Sequence, residues 1–296
     1  MTPDAIRALR GEVRTARKGL ARLRAALQAF ERQADQLRTL QAIEGHVAAR
    51  VAQLERVLNL DDVTAHARAS VGRAELRRDP VAHMFIADLL PRDVYAAVVD
   101  AMPDAPFFDE EAGHGTALRV PPRLAPTHTI ITTSFLNEVV KSALSAALLD
   151  RFNESLVAFT QEHFPALPPF HSWDVEVTIS QARIVRRSSG SSGDNPRSGD
   201  RRWDLLTGIV NVARPGDGED GGSRLASTIV PFRGNTALVF NAPADVHAYE
   251  PILPGAPPGT ARYTYEFGIG PTREGRRRLE KILRGRLPID PARSIS

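Results

Sequence analysis

The chain contains no cysteine. Disulfides and thiolate metal sites are therefore excluded, and any metal must be held by histidine and carboxylate. Aromatic residues are few, at 6%, and they do not interleave with the basic stretches as nucleic-acid modules require. No apolar run reaches the ~18 residues needed to cross a bilayer, and the start lacks a basic-then-apolar secretory leader. The matching expectations are a cytoplasmic location, no membrane and no nucleic-acid partner.

What is present is ordinary in amount and unusual in placement. Hydrophobic residues make up 42% and charged residues 25%, as in soluble globular proteins. At 296 residues the chain suits one large domain, or one domain with an appendage. Residues 1–58 carry 11 Lys/Arg against 6 Asp/Glu and residues 271–286 carry 7 against 2, so the net +3 leaves about −7 between two basic ends. Such ends fit either solvated helix faces or contacts with an anionic partner.

The first stretch has the clearest periodicity. Ile6, Val13, Leu20, Leu27 and Ala34 fall seven apart, with Leu9, Ala16, Leu23, Phe30 and Leu37 three further on. Apolar a and d positions over five heptads are a coiled-coil seam. The e positions are Arg10, Arg17, Arg24, Glu31 and Arg38, and Glu12 is the one acid at g. A parallel homodimer wants g acids opposite those arginines, so an antiparallel partner, a hairpin broken near Gly45 or an acidic partner chain fits better. The expectation is a homo-oligomer or a coiled-coil partner through 1–58, as one rod or a hairpin.

Residues 59–80 lose the pattern and read as a connector, with Asp61 or Asp62 capping a short helix and His66 facing solvent. An apolar strand, a turn at Pro91 and a helix ending before Pro103 follow. Residues 104–133 are Pro-rich and irregular, and carry His114 and His128. Ser134 caps a long helical region to about Phe164, read as the layer backing a β-core.

That core begins at Trp173, where Val175, Val177 and Ile179 alternate. From Arg183 a Ser/Gly/Arg-rich loop delivers Asp200. Arg183, Arg186, Arg187, Arg197, Arg201 and Arg202 cluster there, and suit an anionic group on a substrate. Strands are expected at 205–213, 226–232, 236–241 and 261–269, with GEDGG at 218–222 as a hairpin turn. In the last strand Arg262, Thr264 and Glu266 share one face, and Tyr263, Tyr265 and Phe267 the other. A short basic helix and a loose tail end the chain.

The order of Asp200, GEDGG, Pro231…Gly234, His247 and Arg262-Tyr263-Thr264 resembles the core of the iron(II)/2-oxoglutarate-dependent oxygenases, especially the prolyl-hydroxylase-like branch. The strand-Leu-Pro-helix unit at 81–103 is similar to their entry segment. The resemblance covers about 81–270. It implies an α+β fold with a double-stranded β-helix core, jelly-roll or cupin-like, backed by helices and preceded by a helical arm over 1–58. It also implies Fe(II) on Asp200 and His247, and 2-oxoglutarate held by Arg262 and Thr264. Imidazole and carboxylate on one face of Fe(II) leave positions for co-substrate and oxygen, and a guanidinium forks onto the keto-acid's far carboxylate. The implied reaction is hydroxylation of an unactivated carbon in a small-molecule or protein substrate. The chain departs at the first histidine of the triad, where Ser198 stands two residues before Asp200. His171 or a loop histidine is the candidate replacement. The other reading is a metal-free β-helix binding or scaffold protein, positioned by its coiled coil.

Overall fold

Residues 3–103, 107–108, 126–188, 203–241, 247–250, 252 and 260–285 are described in the structure, a computed structural model. The chain divides after Gln53 into two units. In the first, the heptad pattern becomes one helix, α1 (Pro3–Val57), which continues through Gly45 without the break a hairpin needs. Along it Leu20, Leu23, Leu27, Phe30, Leu37, Leu40 and Ile43 are 52–70% exposed, so this stripe is open on the single chain.

In the second unit the stretch read as a connector with a short helix is mostly one helix, and its cap is Asn59, not Asp61 or Asp62. Asn59 accepts a hydrogen bond from the Asp61 N–H at 3.2 Å, and α2 (Leu60–Arg73) has Asp61 and Asp62 in its first turn, where acids suit the helix dipole. Its buried Val63, Ala67 and Val71 follow a four-residue spacing of small side chains, a face too faint for sequence reading. His66 is half-buried, not solvent-facing, and its Nε2 lies 2.9 Å from the Asp88 carbonyl.

Next come β1 (Leu76–Arg77), β2 (Ala82–Ile86) and α3 (Arg92–Asp100), the strand-Pro91-helix unit as read. The expected single helix over 134–164 is divided. It starts earlier as α4 (Thr127–Val139), passes through a π-helical turn at Val140–Leu144, and continues as α5 (Ser145–Arg151) and α6 (Asn153–His163). Ser145 Oγ donates to the Val140 carbonyl at 2.9 Å across that turn. His128 lies on α4, while His114 and the Pro-rich segment around it lie outside the described residues.

The strands that follow are β3 (Val177–Ser188), β4 (Leu206–Val212), β5 (Ser223–Leu225), β6 (Thr228–Val230), β7 (Thr236–Asn241), β8 (His247–Tyr249) and β9 (Ala261–Pro271), closed by the basic helix α7 (Arg273–Leu283). β3 is longer than expected, so Arg183, Arg186 and Arg187 belong to a strand and not to a loop. One antiparallel sheet has the order β1-β2-β7-β4-β9-β3 and a second has the order β6-β5-β8. GEDGG therefore makes no hairpin. It links β4 in the large sheet to β5 in the small one, and the hairpin is the two-residue turn between β5 and β6 at Ala226, whose φ is +49°.

The period of two divides the large sheet's faces. Tyr263, Tyr265, Phe267 and Ile269 of β9 join Val210, Val212 and Val239 in the core shared with α2 and α4 to α6. Tyr265 Oη donates to Asn137 Oδ1 of α4 at 2.6 Å. The helix layer thus backs the sheet, as expected. On the opposite face Ile209, Leu238 and Phe240 meet Leu225, Val230 and Tyr249 of the small sheet.

Candidate functional site between the two sheets

Strand register fixes what enters the inter-sheet space. Arg187 of β3 lies opposite Arg262 of β9, Val185 opposite Thr264, and Arg183 opposite Glu266. Thr264 is next opposite Asn211 of β4, and Asn211 opposite Thr236 of β7. One end of the space is therefore polar, with two arginines and a Thr-Asn-Thr row. Toward the other end Ile209, Leu238 and Phe240 make it apolar.

Arg262 is 2% exposed, and every guanidinium nitrogen is engaged. Nη1 lies 3.0 Å from Asp217 Oδ1, Nη2 lies 2.6 Å from Asp220 Oδ1, and Nε donates to the Asp220 carbonyl at 3.1 Å. Both aspartates sit in the β4–β5 crossover, which carries the GEDGG glycines. At Gly221, with φ +72°, an added Cβ would come 2.8 Å from Ile252 and 3.2 Å from Arg262, so the crossover lies hard against this side chain.

Arg183 donates from Nε and Nη2 to Glu266 Oε2 at 2.9 and 2.8 Å. Tyr249 Oη, from the small sheet, donates to Glu266 Oε1 and bridges the sheets. Burial, with the Glu266 charge beside it, pushes the Tyr249 phenol pKa well up. Arg187 lies with its guanidinium 3.8 Å from the Tyr249 ring centroid.

His247 is 5% exposed. Its ring stacks on Phe240 at 5.2 Å and meets Tyr249 edge-on at 4.8 Å. His247 and Arg262 thus border one inter-sheet space, linked through Tyr249 and Arg187. Thr264 is fully buried there, and its Oγ1 has no hydrogen-bond partner among the described residues.

Of the residues singled out by sequence, Asp200, Ser198, Arg197, Arg201 and Arg202 lie outside the described residues. Arg186 faces the other way, half-buried, with Nε donating to Tyr263 Oη at 3.1 Å on the helix side. The expected arginine cluster is therefore split across β3. His171 lies in an exposed 3-10 turn beside Trp173, which packs in the helix-side core. Among the described residues no group of three or more His, Asp or Glu is placed to hold a metal.

Asp217, Asp220, Tyr249 and Glu266 were missed as site residues. One signal was available: an acid at 266, on the face of Arg262 in an otherwise apolar strand, needs a buried cation nearby.

No protein-family model and no curated protein sequence matches the chain. Among solved structures it is similar to a viral collagen prolyl hydroxylase from Paramecium bursaria Chlorella virus 1 in complex with 2OG. That match has 12% identity and a TM-score of 0.36, over 63% of this chain and 94% of that one. It is also similar to HygX from Streptomyces hygroscopicus with nickel, 2-oxoglutarate and hygromycin B bound, at 14% identity and a TM-score of 0.38, over 64% of this chain and 82% of that one.

Proposed function

We propose that the second unit is an oxygenase-like double-stranded β-helix protein that takes 2-oxoglutarate between its sheets and hydroxylates an unactivated carbon of a small molecule or protein. The strand order supports the fold. β3-β9-β4-β7 in one sheet faces β8-β5-β6 in the other, the antiparallel double-sheet arrangement of a jelly roll.

The observation that carries the functional reading is the shared space itself. His247 of β8 and Thr264 and Arg262 of β9 come from different sheets and are all buried on the side where those sheets face each other. Thr264 Oγ1, buried and without a hydrogen-bond partner among the described residues, fits a ligand oxygen. Arg262 fits less simply, because Asp217 and Asp220 already occupy it.

For the metal the donor set is one imidazole, His247, and one carboxylate, Asp200, with Ser198 at the place of the second imidazole. Carboxylate and imidazole suit Fe(II), but two protein ligands fall short of a triad. Bound there, Fe(II) would supply oxygen activation coupled to oxidative decarboxylation of the keto-acid. The residues' own contribution is to exclude water, through Phe240, Leu238 and Ile209, and to hold the acid at the polar end.

Calorimetry with Mn(II), an inert stand-in for Fe(II), plus 2-oxoglutarate tests the reading. Saturable Mn(II) binding that is lost in Asp200→Ala and in His247→Ala is the expected result. Absence of Mn(II) binding at millimolar metal would sink the enzymatic reading and leave a metal-free binding protein.

We also propose that the open stripe of α1 pairs with a second copy of the chain. Its a and d residues recur over five heptads, and a/d faces of this kind are self-complementary knobs and holes.

A further inference from the structure

Three arginines enter the inter-sheet space, and two of them have carboxylates of their own. Arg183 has Glu266, and Arg262 has Asp217 and Asp220. Arg187 forms no ion pair among the described residues. It is 5% exposed. Its Nη2 donates to the Gly221 carbonyl at 2.5 Å, and Nη1 lies 3.5 Å from the Glu250 carbonyl. Its Nε has no hydrogen-bond partner among the described residues.

Among the described residues this buried guanidinium is held by carbonyls and a ring face, and the Glu266 carboxylate, already paired with Arg183, acts on it from a distance without an ion pair. Desolvation accordingly lowers its pKa below the usual arginine value. Formal charge across the face cancels, three cations against three carboxylates, but the placement is uneven. Asp217 and Asp220 both go to Arg262, which leaves Arg187 without a salt bridge among the described residues.

A second vacant group stands next to it. Thr264 lies two residues along β9 from Arg262, the cross-strand partner of Arg187, so Thr264 and Arg187 are diagonal neighbours on one face, roughly 7–8 Å apart at Cα. The hydroxyl of one and the Nε–H of the other are both buried and both without hydrogen-bond partners among the described residues. Two donors, one of them on a cation with no ion-pair partner of its own among the described residues, suit a carboxylate, which accepts at two oxygens.

We propose that Arg187 and Thr264 together receive one carboxylate of a small organic acid, and that Arg262 is instead a structural cross-link between β9 and the crossover at 217–220. This deepens the reading above by moving the acid's cation from Arg262 to Arg187, and it needs the two sheets but no metal.

The test uses the whole chain stripped of metal by chelation and titrated calorimetrically with succinate. Wild-type protein is expected to bind succinate at millimolar concentration or below, and Arg187→Gln to bind it at least tenfold more weakly. Thr264→Val guards against a folding defect in the first variant. It removes a hydroxyl with nothing to bond, so it should melt no lower than wild type while losing several-fold in affinity. Binding by Arg187→Gln and Thr264→Val equal to wild type, or no succinate binding by wild type, overturns the proposal. Mn(II) binding without succinate binding removes this inference alone. Succinate binding without Mn(II) binding removes the oxygenase reading and keeps the inference.

Discussion

Arg187 and Arg262 sit directly opposite each other on the antiparallel pair β3 and β9, yet only Arg262 is met by carboxylates. Two guanidiniums in a cross-strand pair repel, and the aspartates of the crossover offset that repulsion from one side. The crossover is thereby fastened to the last strand by charge as well as by chain connectivity.

Removing both aspartates should therefore be far worse than removing either. Asp217→Asn/Asp220→Asn leaves Arg262 buried and uncompensated, for which a loss of about 3–5 kcal/mol is expected. Each single variant keeps one ion pair and should cost well under half of that. Adding Arg262→Met to the double variant should recover part of the loss. Urea unfolding of the set checks this, and additive single effects would contradict it.

Stability should also fall in alkali through the buried phenols. Burial raises the pKa of both Tyr249 and Tyr265 above the ordinary value. In the unfolded chain they ionise near pH ~10. Above that pH the unfolded state loses protons that the folded state keeps, so stability falls as pH rises. Their contribution is intact below about pH 10 and is lost as pH climbs from there toward the folded values. Tyr265→Phe should flatten this alkaline slope, as followed by tyrosinate absorbance together with circular dichroism.

Gly208 and Phe267 make a close approach that no larger residue at 208 allows. A Cβ at 208 would stand 2.0–2.5 Å from three carbons of the Phe267 ring, inside van der Waals contact. Gly208→Ala should cost about 1–3 kcal/mol by overpacking. Gly208→Ala/Phe267→Leu should regain part of it, and thermal melts of the pair decide.

The α1 stripe gives a prediction about association. Leu23→Asp/Phe30→Asp places charges on an open apolar face and should leave the second unit's melting unchanged. It should convert an associated species to a monomer in sedimentation velocity. A wild-type chain that already sediments as a monomer would refute pairing with a second copy.

Alternation made much of this fold legible. In β9 the division between Arg262, Thr264, Glu266 and Tyr263, Tyr265, Phe267 could be read from period two alone, whereas β7 at Thr236–Asn241 was read as an apolar run after the Pro231…Gly234 turn. Helix α2 was read only as a short helix inside a connector, because its core face is Val63, Ala67 and Val71, side chains too small to stand out among polar neighbours. GEDGG was misread because a glycine-rich turn has the same composition whether it reverses a strand or carries the chain to another sheet. What decides is the partner, here Arg262, 42 residues from Asp220. The cleft's charge pattern was hidden for the same reason. Arg187 looked like one member of a basic loop until the strand register placed Arg183 and Arg187 on one face and Arg186 on the other.

That register also bears on solubility. Among the described residues β3 ends the large sheet, with β9 on one side and no strand on the other. An unprotected border of 12 residues would invite another chain to add on and begin a fibril. Charges directed inward from an outermost strand are one of the devices that oppose such addition. Arg183 and Arg187 act in this way, because a newcomer extending the sheet would have to accommodate two cations already committed to the interior.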